Sequence, residues 1–198
     1  MAALSTEHLE YVLTHILVKQ DGHVDFLGVF PADCLPISSR IARVRNRDAC
    51  FVANTDPHGK RGAHWLAFYY DCRKRRLEYF DSYGLPISMY PYVHHNLAST
   101  NVEIVPVASQ FATLQALDSN VCSYYCVLFL YFWCRFCCNI RAMGKMQKLG
   151  STAQKRDAAV VIAMQKLVRQ NKCNNAPSSL ACTRFSQLSY ARSNLIKQ

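Results

Sequence analysis

The sequence predicts a globular domain that combines helices with strands, and three observations carry that expectation. Hydrophobic residues make up 51% of the 198 residues and charged residues 18%, a composition that builds a core rather than a disordered chain. Two strand-like segments, His64 to Tyr70 and Leu77 to Ser82, flank a polar connection. The run from Val121 to Trp133 is apolar, yet well short of the ~20 residues that span a bilayer, and Arg135 closes it. That run is expected as a buried core helix and not a membrane anchor. The length suits one domain over residues 1–198.

Taken in order, Ser5 or Thr6 caps a first helix, with Glu7 and Glu10 in its opening turn. Leu9, Val12, Leu13, Ile16 and Leu17 follow at helical spacing. Val24 to Phe30 is extended and ends at Pro31, and Pro36 to Arg47 is a basic stretch carrying Arg40, Arg43, Arg45 and Arg47. Cys50 to Asn54 reads as a buried strand, and Thr55 to Lys60 as a turn. In the hairpin, a loop of two or four residues makes paired positions sum to an odd number. Asp81 then falls opposite His64 or one pair away, on the same face. Gly84 and Pro86 end the hairpin, Pro91 to Asn96 is expected as a loop, and Val102 to Val107 as a short strand. Ala116 to Asn120 supplies turn chemistry, with Asp118, Ser119 or Asn120 as cap of the apolar helix, about Val121 to Phe136. Residues 141–153 are expected as a polar, basic connection around Gly144 and Gly150. A second amphipathic helix runs from Lys155 to Gln170, with Val160, Val161, Met164, Leu167 and Val168 as its stripe. From Asn174 the tail is expected to be loosely structured, pinned by Phe185, Leu188 and Tyr190.

Charge is unevenly placed. Residues 1–138 hold 12 Lys+Arg and 12 Asp+Glu, so the formal charge of +10 belongs entirely to residues 139–198, where Asp157 is the sole acid. A basic rear points to a polyanion, nucleic acid first, with Lys155, Lys166 and Arg169 as contacts; the alternative is a solvated surface that aids solubility. The ten cysteines and the lack of a leader pattern at the N-terminus are expected to mean reduced thiols in a cytosolic or nuclear setting. Cys134, Cys137 and Cys138 lie on one apolar run without a second ligand pair, so no metal is expected there.

Four residues carry candidate chemistry. Cys122 opens the apolar helix, where the helix field and a nearby imidazolium lower a thiol pKa into the range ~3.5–7.5 and favour the nucleophilic thiolate. A structural core cysteine is the bland alternative. His64, beside Trp65 on a rigid strand, can serve as base, and Asp81 can accept its other ring N–H and fix its tautomer. Gln115, seven residues before Cys122, can donate an amide N–H to a developing oxyanion together with the Cys122 backbone N–H. Alone it reads as a solvent-exposed turn residue. Together the four form the equipment of a cysteine hydrolase.

The stretches Gly62-Ala-His-Trp-Leu-Ala-Phe68, Leu77-Glu-Tyr-Phe-Asp-Ser-Tyr-Gly84 and Gln115-Ala-Leu-Asp-Ser-Asn-Val-Cys-Ser-Tyr-Tyr-Cys126 resemble the adenovirus maturation proteases, the adenain family, and more distantly the ubiquitin-like-protein proteases. Phe26-Leu-Gly-Val-Phe30 and Val52-Ala-Asn-Thr55 add weaker similarity, so the resemblance covers roughly residues 24–135. It implies an α+β fold, with a buried central helix bearing Cys122 packed on a mixed sheet bearing His64 and Asp81, and a helical basic C-terminal part. It implies a His64–Asp81–Cys122 triad with Gln115 in the oxyanion hole, and cleavage of virion precursor polypeptides after small residues such as glycine. DNA is implied as an activator, and the virion and host nucleus or cytoplasm as the setting. No metal or organic cofactor is implied, and the chain is expected to be monomeric.

Three departures from the family shape these expectations. Ser123 stands where the motif has glycine after the nucleophile, and is expected to narrow the approach to the site. The acid is Asp81, as in the ubiquitin-like relatives, rather than the adenain glutamate. The family's peptide-linking cysteine would fall near Ile104, and no cysteine lies between Cys72 and Cys122, so a disulfide-linked activating peptide is not expected. An adenovirus-like virus or a virus-like DNA transposon would supply such a chain. Two further functions stay open at this point. One is an isopeptidase acting on ubiquitin (a deubiquitinase) or on a ubiquitin-like modifier, where Trp65 would wall a narrow tunnel for a Gly-Gly tail. The other is an inactive protease fold that binds nucleic acid.

Overall fold

The computed structural model describes residues 4–17, 24–37, 41, 46–107 and 113–173, the last three by backbone alone. Arg40, Arg43, Arg45 and the tail residues Phe185, Leu188 and Tyr190 lie outside the described residues. The elements are α1 (Thr6–Leu17), β1 (Val24–Phe30), β2 (Asp48–Asn54), β3 (Trp65–Asp71), β4 (Arg76–Phe80), α2 (Pro91–Ala98), β5 (Glu103–Pro106), α3 (Cys122–Phe136), α4 (Asn139–Gln147) and α5 (Ala153–Cys173). A short 3₁₀ turn, Ile87–Met89, precedes α2.

The five strands form one mixed sheet in chain order, β1-β2-β3-β4-β5. The outer pairs, β1 with β2 and β4 with β5, are parallel, and the inner pairs are antiparallel. This is an α+β arrangement with helices on both faces. Period-2 alternation divides each inner strand between two cores. Cys50, Val52, Trp65, Ala67, Tyr69 and Phe80 face the core shared with α1, α3 and α5. Phe51, Leu66, Phe68, Leu77 and Tyr79 face the core shared with Val93 and Leu97 of α2. Because both faces are covered, β2 and β3 are apolar at nearly every position instead of alternating with polar residues.

Two expectations are overturned. Residues 91–96 are not a loop but the body of α2, because Pro91 pre-sets φ at the first helical position and Val93 and Leu97, four apart, both bury. Residues 141–153 are not all connection: α4 occupies 139–147, and Ala142, Met143 and Met146 make its buried stripe. Gly144 does not interrupt α4. A side chain there would meet open space, so the glycine sits on the solvent side.

The nucleophile-candidate helix α3 is the central spacer of the larger core. Nine of its residues, from Cys122 to Trp133, are buried. Flat aromatic contacts hold it to the sheet: Phe129 on Phe80 with centroids 4.2 Å apart, and Trp133 on Tyr69 at 4.3 Å. One turn after Cys122, the Cys126 thiol donates to the Trp65 carbonyl at 3.4 Å. Burial pushes that thiol's pKa well up, which keeps the donor proton in place. Replacing Phe129 by Ala removes a fully buried ring and its partner contact. The substitution is expected to destabilise the fold by about 3–5 kcal/mol, measured as a lowered denaturant midpoint at unchanged slope.

Candidate active site

The hairpin geometry brings the first two residues together. The β3–β4 register runs Ala67↔Phe80 to Asp71↔Arg76, so residues 72–75 form a four-residue loop and pair sums are odd. Extending the register sets Asp81 across from Leu66 and therefore one pair from His64, on the same face. His64 is not mid-strand as expected; it sits immediately before β3, where its carbonyl accepts from the Thr55 N–H at 2.9 Å. The ladder thus continues past the strand and aims the ring.

The His64 Nε2–H donates to Asp81 Oδ1 at 2.6 Å, and both side chains are almost entirely sequestered from solvent. Three more donors converge on the same carboxylate. Oδ1 accepts from the Tyr83 N–H at 3.0 Å, and Oδ2 accepts from the Leu85 N–H at 2.9 Å and the Tyr90 hydroxyl at 2.7 Å. Burial alone raises a carboxyl pKa, but the bond and charge of His64, with the Tyr83 and Tyr90 donors, hold Asp81 below the usual carboxylate range. The imidazole shows the opposite balance. Burial disfavours its charged form, and the hydrogen bonds and charges of Asp81 and Cys122 outweigh that, carrying the His64 pKa up to about 9. With Nε2 committed to Asp81, Nδ1 is the ring nitrogen left to face Cys122, whose nearness adds to the upward shift of the ring's pKa. Tyr83 and Tyr90 lie nearly parallel to the imidazole, at centroid distances of 4.7 and 5.7 Å.

Cys122 is the first residue of α3, as the turn chemistry predicts, but the cap differs. The N-cap is Val121, without a side-chain hydrogen bond, so Asp118, Ser119 and Asn120 do not cap the helix. Ser119 has another task. Its carbonyl accepts from Gln115 Nε2 at 2.7 Å and from the Tyr83 hydroxyl at 3.2 Å. Gln115 is fully buried rather than an exposed turn residue. The Ser82 hydroxyl donates to its Oε1 at 2.7 Å, which fixes the orientation of the amide. Its second N–H faces the Tyr83 hydroxyl at 3.2 Å, the longest bond of the set. Ser123 does not reach into the site: its buried hydroxyl accepts from the Leu4 N–H at 3.0 Å and ties the N-terminal segment to α3.

Trp65 is buried and lines a cavity of about 620 Å³ between residues 4–6 and the 54–62 loop. Gly62 is required in that wall. It adopts φ +82°, and a Cβ there would come within 2.6 Å of the Asn54 amide. Lys155, Lys166 and Arg169 are exposed on α5. Sequence reasoning missed Ser82, Tyr83 and Tyr90. Ser82 and Tyr83 lie within a motif already singled out, whereas nothing local marks Tyr90, which reaches Asp81 only because Pro86 and Pro91 bracket the turn that carries it.

Fold and site together set a thiol at the start of a buried helix against a mixed sheet whose β3–β4 pair brings a histidine to a buried acid. No protein-family model matches the chain. Similarity to curated proteins falls on adenovirus proteases. The bovine adenovirus 4 protease is 28% identical over 137 residues, 64% of this chain and 65% of that protein. The human adenovirus D serotype 17 protease is 27% identical over 117 residues, 53% of this chain and 56% of that protein. The chain thus spans between about half and two thirds of the length of these relatives. Among solved structures it is similar to ChlaDub1 from Chlamydia trachomatis, with a TM-score of 0.42, 16% identity, and coverage of 85% of this chain and 82% of that one. It is also similar to the Chlamydia trachomatis effector Cdu1 bound to ubiquitin, with a TM-score of 0.40, 16% identity, and coverage of 89% and 84%.

The raised imidazole pKa has a definite sign for stability. The folded value, about 9, exceeds the ordinary 6.5, so the charged His64 stabilises the fold fully below pH 6.5 and loses that contribution as pH rises through 9. A ring-proton titration followed by NMR is expected to show a midpoint near 9, moved towards 6.5 or below by Asp81→Asn. A wild-type midpoint at 6.5 would remove this account.

Proposed function

We propose that the chain is a cysteine endopeptidase that cleaves precursor polypeptides of a virus-like particle, and that His64, Asp81, Cys122 and Gln115 carry the chemistry. The observation that supports this reading best is the relay from buried Asp81 through His64 to Cys122 at a helix start. The Cys122 thiolate attacks the scissile carbonyl carbon, and the oxygen gains the negative charge. The Cys122 backbone N–H and one Gln115 amide N–H receive that oxygen. The first N–H groups of a helix have no intrahelical partner, so they point outward for this purpose. Gln115 keeps its short bond to the Ser119 carbonyl and exchanges the longer one to Tyr83 for the oxyanion. His64 then passes its Nδ1 proton to the amine as the C–N bond breaks, leaving a thioester on Cys122. Water attacks the thioester, His64 takes the water proton, and cleavage of the C–S bond frees the acid and returns the Cys122 thiolate beside the protonated His64. Asp81 stays ionised throughout and holds the ring.

The cavity beside Trp65 suits the acyl side of an extended peptide, and small residues nearest the scissile bond fit a passage walled by a buried indole. Incubation with peptides carrying Gly at the cleavage position is expected to give hydrolysis. Cys122→Ala is expected to lose it entirely, and Gln115→Ala to lose roughly 10²–10³ in kcat. Hydrolysis that survives Cys122→Ala overturns the reading. Exclusive turnover of folded ubiquitin-like modifiers, with no peptide cleavage, replaces the endopeptidase by an isopeptidase. The rate is expected to decline above about pH 9, where His64 loses its proton.

A subordinate part of the proposal concerns the basic rear. Lys155, Lys166 and Arg169 project from α5 into solvent and would contact the phosphates of DNA, localising or stimulating the enzyme. Replacing all three by Glu is expected to reduce duplex retention and to flatten the slope of log affinity against log salt by about 1 for each phosphate no longer neutralised. An unchanged slope assigns the residues to a solvated surface.

A further inference from the structure

The segment that carries Gln115 belongs to no helix or strand, yet its backbone groups are nearly all accounted for. The N–H groups of Leu114 and Gln115 both donate to the Ser82 carbonyl, at 2.9 and 3.0 Å. Further bonds to the segment come from the first turn of α5 and from α3. Arg156 donates from Nη2 to the Thr113 carbonyl at 3.0 Å and from Nε to the Leu114 carbonyl at 2.9 Å. Its third bond, Nη1 to the Gly150 carbonyl at 3.1 Å, anchors the guanidinium in its own loop. Gly150 leaves that loop no room for a side chain, since a Cβ would lie 2.7 Å from the Arg156 amide nitrogen.

The neighbouring residue completes the hold from the opposite chemical side. Buried Asp157 accepts from the Ala116 N–H at 3.2 Å through Oδ2 and from the Tyr125 hydroxyl at 2.8 Å through Oδ1. Tyr125 stands three residues after Cys122 on α3, and its hydroxyl also lies 3.2 Å from the Leu114 carbonyl. Two adjacent residues of α5 therefore grip both sides of Gln115, and one of them also touches the helix that bears Cys122. A surface cation or a solubilising charge would not be arranged this way: Arg156 is spent on three carbonyls, and Asp157, the only acid among residues 139–198, is buried.

Resting on the protease reading, we infer that Arg156 and Asp157 are positioning residues for catalysis, clamping the Thr113–Ala116 segment so that the Gln115 amide meets the oxyanion formed at Cys122. Neither residue touches the reacting atoms. A misplacement of about 1 Å costs on the order of 10²-fold in rate, so a loosened clamp acts on kcat. Attack by Cys122 on a simple alkylating agent forms no oxyanion, so it bypasses the clamp.

Asp157→Asn and Arg156→Gln test this, each with three measurements on the full chain. Amide hydrogen exchange over residues 114–116 is expected to accelerate by about tenfold or more. The kcat on a peptide substrate is expected to fall by about 10- to 100-fold, with KM within about twofold of wild type. Alkylation of Cys122 by iodoacetamide is expected to keep its rate within about twofold. Should Asp157→Asn fail to fold, Arg156→Gln gives the same three readouts through a partly exposed side chain. Unchanged exchange overturns the clamp. Faster exchange with unchanged kcat overturns its catalytic role, and so does alkylation falling in step with kcat, which signals general loosening. A wild-type chain that is alkylated but cleaves no peptide overturns the protease reading instead, while the exchange measurement still decides the clamp.

Discussion

Much of this structure is arranged around the burial of one carboxylate. Asp81 has no exposed side-chain surface, and an ion in that position costs several kcal/mol unless its lone pairs are filled. The fold fills them from three directions. Two backbone amides come from the turn that follows, which folds back because Gly84 adopts φ +73°. A phenol comes from Tyr90, at the entry to α2. The fourth donor is His64, from the neighbouring strand edge. Satisfying the charge thus joins the sheet, the turn and α2, and leaves a histidine whose ring has a single orientation. The same requirement explains the raised imidazole pKa, because the ring's proton completes the coordination of a buried anion.

The second constraint is that α3 must be apolar on nearly all sides and still present a polar thiol at its first residue. Stacking on Phe80 and Tyr69 sets its distance from the sheet, and the Cys126 bond to the Trp65 carbonyl sets its rotation. Ser123 uses its hydroxyl inward, on the Leu4 amide, rather than towards substrate. Ser123, expected to narrow the approach to Cys122, is therefore absorbed by the packing.

How much of this is legible in the sequence depends on whether the deciding signal is local. Parity of the hairpin loop places His64 and Asp81 on one face, and the apolar run places Cys122 at a helix start, because both follow from chain geometry alone. The α2 and α4 helices are hidden by their composition. Pro91, the His94-His95 pair and Gly144 read as loop, and only tertiary burial of Val93, Leu97, Met143 and Met146 shows otherwise. Helix α3 takes Val121 as cap rather than any of the polar residues just before it, a placement that no pattern of residue types discloses. Tyr90 and the Arg156–Asp157 pair act across 9 and about 40 residues of chain. Asp157 alone carries a local hint, since a single aspartate in a strongly basic stretch needs a reason to be there.

The hydrogen bond between Leu4 and Ser123 closes a separation of 119 residues, and the one between Ala116 and Asp157 closes 41. The sheet, by contrast, is threaded in simple chain order, each strand beside its predecessor. Contacts between near neighbours in sequence form early, and those that close long loops form late. The scaffold of this molecule can therefore be laid down progressively, while its candidate site is completed only when both ends of the described chain have arrived. Completion of that site is therefore expected late in folding, after the framework that displays it has formed.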